Sequence, residues 1–383
     1  MPCATPGSAG SSIERRVVAD RPLHIGIDGR ELLGKPTGVG RYTAEVLRVW
    51  ASDGDERFRY TVFVPAEPSD MLRRLGPRVE WVVVAASHAG TLWEQARLPG
   101  ALRRAGVDVL FAPGYTAPLR TKIPFVVVIH DVSFFAHPEW FGQREGWRRR
   151  RITKASAERA ARVLTVSEFS ASEIVRYLGI TRDRIELAPN GPPAAAVPPE
   201  HATRVPTVLY VGSLFNRRRI PDLLRGFAIV ARDLPAARLV MVGDNRTIPP
   251  LDPNTEATAL GIGDRVEWRA YLPDEELNRL YQSARAFAFL SDYEGFAITP
   301  IEAIAHGVPP VLLDTPVARE IYGAGALLVP PDPAAIAAAL ETLLTDDDAH
   351  ARLLTAGRRR MADFSWTRTA AKVRAVLTEA THP

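Results

Sequence analysis

The sequence holds a single cysteine, Cys3, in 383 residues. A disulfide within the chain is thereby excluded, as is a zinc site built from clustered thiolates. No apolar run approaches the ~20 residues of a membrane-spanning helix. The first twenty residues lack an apolar stretch and read as a loose tail rather than a signal peptide, which suits a reducing cytoplasm. No low-complexity tract or short internal repeat is present. The excess of positive charge is mild, +4 with a pI near 9.3. It is uneven, however: residues 144–162 carry eight Lys/Arg against two Glu.

What is present is alternation. In the first half, short Val/Ile-rich runs at 23–28, 60–65, 79–84, 107–113, 123–131 and 162–167 are separated by helical patterns. In the second, runs at 207–213, 237–243, 265–270, 285–291, 309–314 and 326–330 repeat the theme. Nearly continuous apolar runs alternating with helices predict parallel sheets covered on both faces. A proline-rich segment at 191–206 reads as a linker between a first domain, 21–190, and a second, 207–367. The fold class expected is α/β, with two Rossmann-like domains facing across a cleft. In such sheets ligands bind beyond the carboxyl ends of the strands.

The stretch SDYEGFAITPIEAIAHG, 291–307, carries Glu294 and Glu302 around a presumptive phosphate-binding loop. Thr299-Pro300-Ile301-Glu302 reads as a capping box with Thr299 at N-cap, and Gly307 as the residue that ends the helix. Free amides at a helix start attract phosphate, and Gly295 permits close approach of a ligand to the backbone. A nucleotide-sugar has hydroxyls on both flanks of its diphosphate, which suits two glutamates straddling such a loop.

These residues resemble the E-x7-E element of family 4 glycosyltransferases, retaining enzymes with the GT-B fold, and the resemblance covers nearly the whole chain after residue 22. It implies that Glu294 faces the donor sugar and Glu302 binds the ribose. It also implies that the backbone of Phe296, Ala297, Ile298 and Thr299 holds sugar and diphosphate. Ala297 and Thr299 stand where the family commonly has glycine and proline. The segment after Gly212 resembles the family's G-x4-R-K-N element, with Arg217 on its arginine, Arg218 in place of lysine and Arg219 where asparagine is usual. Two arginines at a departing diphosphate would neutralise the charge that grows as the glycosidic bond breaks.

Three further elements complete the resemblance. Gly38, Val39 and Gly40 match the family's glycine loop, which faces donor phosphate and acceptor; they do not form a dinucleotide fingerprint. His130, in the segment IHD, matches a histidine that contacts the donor sugar near the reacting carbon. FSWTRTA at 364–370 implies a final helix, 368–383, that crosses back to the first domain. Gly243, Tyr271 and Leu272 are the expected surroundings of the base.

The activity this implies is transfer of a hexose, GDP-mannose being the first choice of donor, to a glycan or lipid-linked acceptor in cell-envelope polysaccharide synthesis. Front-face substitution is implied, with no covalent nucleophile, no metal and no cofactor. A nucleotide-sugar 2-epimerase of the same fold and a non-catalytic nucleotide-sugar-binding protein are the alternatives. Nucleic acid is not an expected partner. The basic segment 144–162 reads either as a solvated helix face, with Arg148, Arg151, Arg159 and Arg162 on one arc, or as a peripheral contact with the inner face of the membrane. Asp346, Asp347 and Asp348 read as a helix start rather than a metal site.

Overall fold

The computed structural model describes residues 21–34, 38–76, 78–86, 90–193 and 205–382. The tail 1–20 and most of the expected linker lie outside the described residues.

Seven strands build the first sheet: β1 (Leu23–Asp28), β2 (Phe58–Val64), β3 (Val79–Val83), β4 (Val109–Ala112), β5 (Phe125–Val128), β6 (Arg162–Thr165) and β7 (Ile185–Leu187). Six build the second: β8 (Thr207–Val211), β9 (Arg238–Val242), β10 (Val266–Arg269), β11 (Ala286–Phe289), β12 (Pro310–Leu313) and β13 (Leu327–Val329). All pairings are parallel, in the orders β3-β2-β1-β4-β5-β6-β7 and β10-β9-β8-β11-β12-β13. The central strands are buried on both faces, which is why they read as unbroken apolar runs rather than alternating ones. β7 is an extra strand beyond the six expected; at three residues its pattern is too short to register.

Each sheet reverses its strand order once, between β1 and β4 and between β8 and β11. Such a switch point opens a crevice at the strands' carboxyl ends. The residues just past β4 and β5 include Tyr115 and His130, and those just past β8 and β11 include Gly212 and Glu294. Strand order alone therefore gathers the candidate residues.

The helix Trp366–Glu379 returns to the first sheet's layer and packs on the helix Gly38–Ser52. Trp50 Nε1 donates to the Ala370 carbonyl at 3.0 Å, and Arg374 pairs with Asp53. Residues 38–40 form the first turn of a helix rather than a loop, because Gly40 is buried at its packed face. Arg162 begins β6 and so leaves the basic arc, while Arg148, Arg151 and Arg159 are exposed on the helix Gln143–Arg159. Asp346 caps the helix Asp347–Met361 by accepting from the Ala349 amide, so the acidic triplet is a helix start. Among the described residues no helix is long and apolar enough to cross a membrane.

Candidate functional site

The second-sheet wall of the cleft is a compact ion cluster. Glu294 Oε1 accepts from Ser291 Oγ at 2.7 Å and from Arg217 Nε at 3.3 Å, and Arg218 Nε lies 2.8 Å from it. Arg217 also donates to the Tyr293 carbonyl at 3.1 Å. Burial alone would discourage its charge, but Glu294 and Asp131 hold it protonated. Arg218 lies 4.1 Å over the Phe289 ring and is only 9% exposed, yet its Nε and Nη1 have no acceptor in hydrogen-bonding geometry. A buried guanidinium with donors to spare is an unfinished site, since unpaired buried polar atoms cost about 1–3 kcal/mol each.

Two glycines make room for that guanidinium. A Cβ on Gly212 would come within 2.7 Å of Arg218 Nη1, and one on Gly243 within 2.0 Å of the Gly212 carbonyl oxygen. Both have positive φ, 146° and 150°. Gly243 thus serves close backbone packing behind the arginines. Leu272 is buried in the core, and Tyr271 is exposed.

The loop before Glu302 departs from the expected cap. The helix runs Ile298–Ala305, its N-cap is Ala297 at φ 64°, and no side chain caps it. Thr299 lies inside the first turn, with Oγ1 buried and without a partner. The capping box does not form because the helix begins two residues earlier than expected, which puts Glu302 in its second turn. Gly307, at φ 80°, ends the helix as expected. Glu302 is instead buried, pairing with Arg41 of the helix Gly38–Ser52 and accepting from the Tyr281 hydroxyl at 3.3 Å. It is a carboxylate held at the seam between the two sheets.

Gly295 packs closely on the opposite wall. A Cβ there would fall 1.9 Å from the His130 carbonyl oxygen, and the Gly295 carbonyl accepts from Ser167 Oγ at 2.6 Å. Phe296 is buried against Phe364, so only its backbone is available to a ligand. Glu320 ties the walls further, accepting from the Glu168 and Phe169 amides at 2.7 and 2.8 Å at the start of the helix Glu168–Leu178.

On the first-sheet wall, His130 Nε2 lies 2.9 Å from the Pro113 carbonyl. A carbonyl only accepts, so this nitrogen carries the proton and Nδ1 is left as an acceptor. Burial lowers the His130 pKa, so the ring is neutral at pH 7. Tyr42 and Tyr115 flank it, with ring centroids 5.1 and 5.5 Å away. Next to it, Asp131 accepts from the Tyr115 hydroxyl and the Ser133 amide, both at 2.8 Å. Burial works against the Asp131 charge, but Ser133, Arg217 and Arg149 hold its pKa below the ordinary value.

The structure therefore brings together Glu294, Arg217, Arg218 and Gly212 on one wall, sets His130 against Gly295, and joins Glu302 to the helix that Gly38, Val39 and Gly40 begin. Sequence reasoning missed Arg41, Tyr115, Asp131, Ser167 and Glu320. Asp131 was adjacent to a chosen residue and Arg41 to the glycine pair; Tyr115 and Glu320 carry no local signal. Tyr115, Arg219 and Ala297 have φ of 67°, 46° and 64°, the three non-glycine residues with positive φ among those described. All three sit in loops or helix starts at this cleft, where strain commonly accumulates.

Comparison with known proteins agrees with this geometry. Residues 36–195 match Glycosyltransferase Family 4 and residues 196–360 match Glycosyl transferases group 1. O-antigen chain mannosyltransferase B of Escherichia coli is 28% identical over 281 residues, covering 70% of this chain and 73% of that one. GDP-mannose:cellobiosyl-diphosphopolyprenol alpha-mannosyltransferase of Xanthomonas oryzae pv. oryzae is 30% identical over 203 residues, covering 52% of each chain. Among solved structures, Anabaena HepE in complex with UDP and glucose superposes with a TM-score of 0.72 at 19% identity, covering 93% of this chain and all of that one.

Proposed function

The chain belongs to the family 4 glycosyltransferases, and on that premise we propose that it transfers mannose from GDP-mannose, with retention, to a glycan or lipid-linked acceptor of a cell-envelope polysaccharide. Relatives named as mannosyltransferases of O-antigen and of a polyprenol-linked glycan support the sugar and the acceptor class. The observation that carries the reading is Arg218: buried at the second sheet's switch point beside Arg217, its Nε 2.8 Å from Glu294 but out of hydrogen-bonding geometry and its Nη1 without an acceptor. A diphosphate supplies the oxygens such a guanidinium needs.

The roles follow from the chemistry of each group. Arg217 and Arg218 neutralise the charge that develops on the departing diphosphate, and the free amides after Ala297 receive phosphate or sugar oxygens. Glu302 exchanges Arg41 for the ribose hydroxyls. His130 accepts from a sugar hydroxyl through Nδ1. Glu294 is held by two guanidinium groups and a hydroxyl, which makes it a weak nucleophile and favours a positioning role at the sugar. The acceptor oxygen then bonds to the anomeric carbon as the bond to phosphate breaks, and the acceptor proton passes to the leaving phosphate oxygen. The exposed Trp147, with Arg151 over its ring and Arg148 beside it, supports peripheral contact with the cytoplasmic membrane face.

The test is incubation of purified protein with radiolabelled GDP-mannose and a polyprenol-linked glycan extract. The anomeric configuration of the product is then read by NMR. An α-mannosylated product is the expected result. Turnover of UDP-GlcNAc with no acceptor would replace the reading with epimerisation, and tight donor binding with neither transfer nor hydrolysis would replace it with a binding protein.

A further inference from the structure

Of the arginines along the helix Gln143–Arg159, Arg144 and Arg159 are exposed and three others have visible occupations. Arg148 pairs with Glu145, Arg150 donates to the Phe134 carbonyl at 3.1 Å, and Arg151 covers the exposed Trp147. Arg149 differs. Its guanidinium lies 4.7 Å from the Tyr115 ring centroid, 4.5 Å from that of Phe134 and 5.9 Å from that of Phe141. Among the described residues no carboxylate stands within 4 Å of it and no group accepts its N–H bonds. Aromatic faces hold a guanidinium by electrostatic attraction but take none of its in-plane donors. The group is fixed in place, and its fork is left unused.

Its position is at the cleft. Tyr115 follows β4 and donates to Asp131, which follows His130, and both Asp131 and the Tyr115 phenol feel the charges of Arg149 and Arg217. Asp131 is therefore a carboxylate between two cations, one from each wall. Arg217 serves the donor side. Arg149 stands on the other side of His130's neighbour, in the layer of the first sheet, where the acceptor must enter if the second sheet holds the nucleotide. Tyr115 keeps a left-handed backbone there, at φ 67°, under its aromatic contacts and the bond to Asp131.

The geometry points to an acceptor-phosphate subsite: Arg149 receives two oxygens of a phosphate carried by the acceptor, and so sets the acceptor hydroxyl beside His130. This rests on the transferase reading and names its acceptor as a phosphorylated molecule. A planar fork preorganised by three rings suits bidentate phosphate recognition, and the excess positive charge of the surrounding helix favours a dianion. The phosphate belongs either to a soluble sugar phosphate or to a polyprenyl (di)phosphate. The exposed Trp147 on the same helix is compatible with the second source, and the chemistry at Arg149 is shared by both.

The experiment is a calorimetric titration of inorganic phosphate into the full chain already saturated with GDP, so that the diphosphate site is filled. Phosphate binding is expected in the wild type, weakened roughly tenfold or more in Arg149→Gln and partly kept in Arg149→Lys. GDP affinity is expected to be the same in all three, which controls for folding. Unchanged phosphate affinity in Arg149→Gln overturns the subsite, as does absence of phosphate binding to the wild type. Failure of GDP to bind the wild type instead strikes the donor reading; the phosphate titration is then compared between wild type and Arg149→Gln without nucleotide. For the source, phosphatidylcholine vesicles carrying polyprenyl phosphate are sedimented with each protein. Retention that requires Arg149 names the lipid-linked acceptor, and mannose 1-phosphate binding that requires Arg149 without such retention names the soluble one. Either supports the subsite, and dependence of neither on Arg149 removes it.

Discussion

The two walls of the cleft are built differently. The second-sheet wall draws Gly212, Arg217 and Arg218 from one loop and Ser291, Glu294, Ala297 and Glu302 from another, each contiguous in sequence. The first-sheet wall draws Arg41, Tyr115, His130, Asp131 and Arg149 from four separate segments, joined through side-chain contacts between loops. The proposed donor wall is a pair of motifs, whereas the proposed acceptor wall is an assembly. A diphosphate can be held by short loops at a switch point, while an acceptor surface has to be gathered from across a domain.

Removing Arg218 breaks the donor wall and has the largest expected effect. Arg218→Ala lowers kcat/KM for donor by about 10²–10³-fold, read in steady-state kinetics with GDP-mannose. Arg217→Ala acts mainly on kcat in the same assay. Glu302→Ala comes next: it is expected to raise donor KM by about tenfold, with a smaller change in kcat, because the proposed bond to ribose would be made in ground and transition states alike.

The acceptor wall is weakened through its foundation rather than its surface. Arg30 pairs with the buried Glu94 at 2.8 Å and donates to Thr116 Oγ1 at 2.8 Å, beside Tyr115. Asp28, 3.6 Å from Arg30, is buried, and desolvation pushes its pKa up to about 6 despite the arginine. A carboxyl with a raised folded pKa contributes stability that is fully present below its ordinary value and lost as pH rises through about 6. Urea denaturation across this range should show that component declining with rising pH in the wild type and absent in Asp28→Asn.

The smallest effect sharpens the comparison on the donor side. Ala297 occupies a left-handed conformation that costs an alanine about 1–2 kcal/mol. Ala297→Gly should stabilise the fold by up to about 1 kcal/mol in thermal denaturation, glycine's extra freedom in the unfolded chain offsetting part of the relief.

Legibility in the sequence follows the same division. Both sheets were visible because strands buried on both faces write unbroken apolar runs, and the donor wall was visible because its residues sit in two short motifs. The three-residue β7 wrote too little to see. The capping box at Thr299 failed because Ala297 takes the N-cap place at positive φ, a conformation that no side-chain pattern announces. That Gly295 packs on the His130 carbonyl was not visible, since the sequence carries no record of which backbone comes close. Arg149 stood within a basic run whose members look alike until the rings of Tyr115, Phe134 and Phe141 single one out.

The central claim, that the buried arginine at the second switch point holds a nucleoside diphosphate, is tested most directly by calorimetric titration of GDP and of guanosine into the wild type and Arg218→Ala. GDP should bind the wild type and lose roughly tenfold or more in affinity in the variant, guanosine binding being nearly the same in both. Equal GDP affinity in wild type and Arg218→Ala would contradict the account.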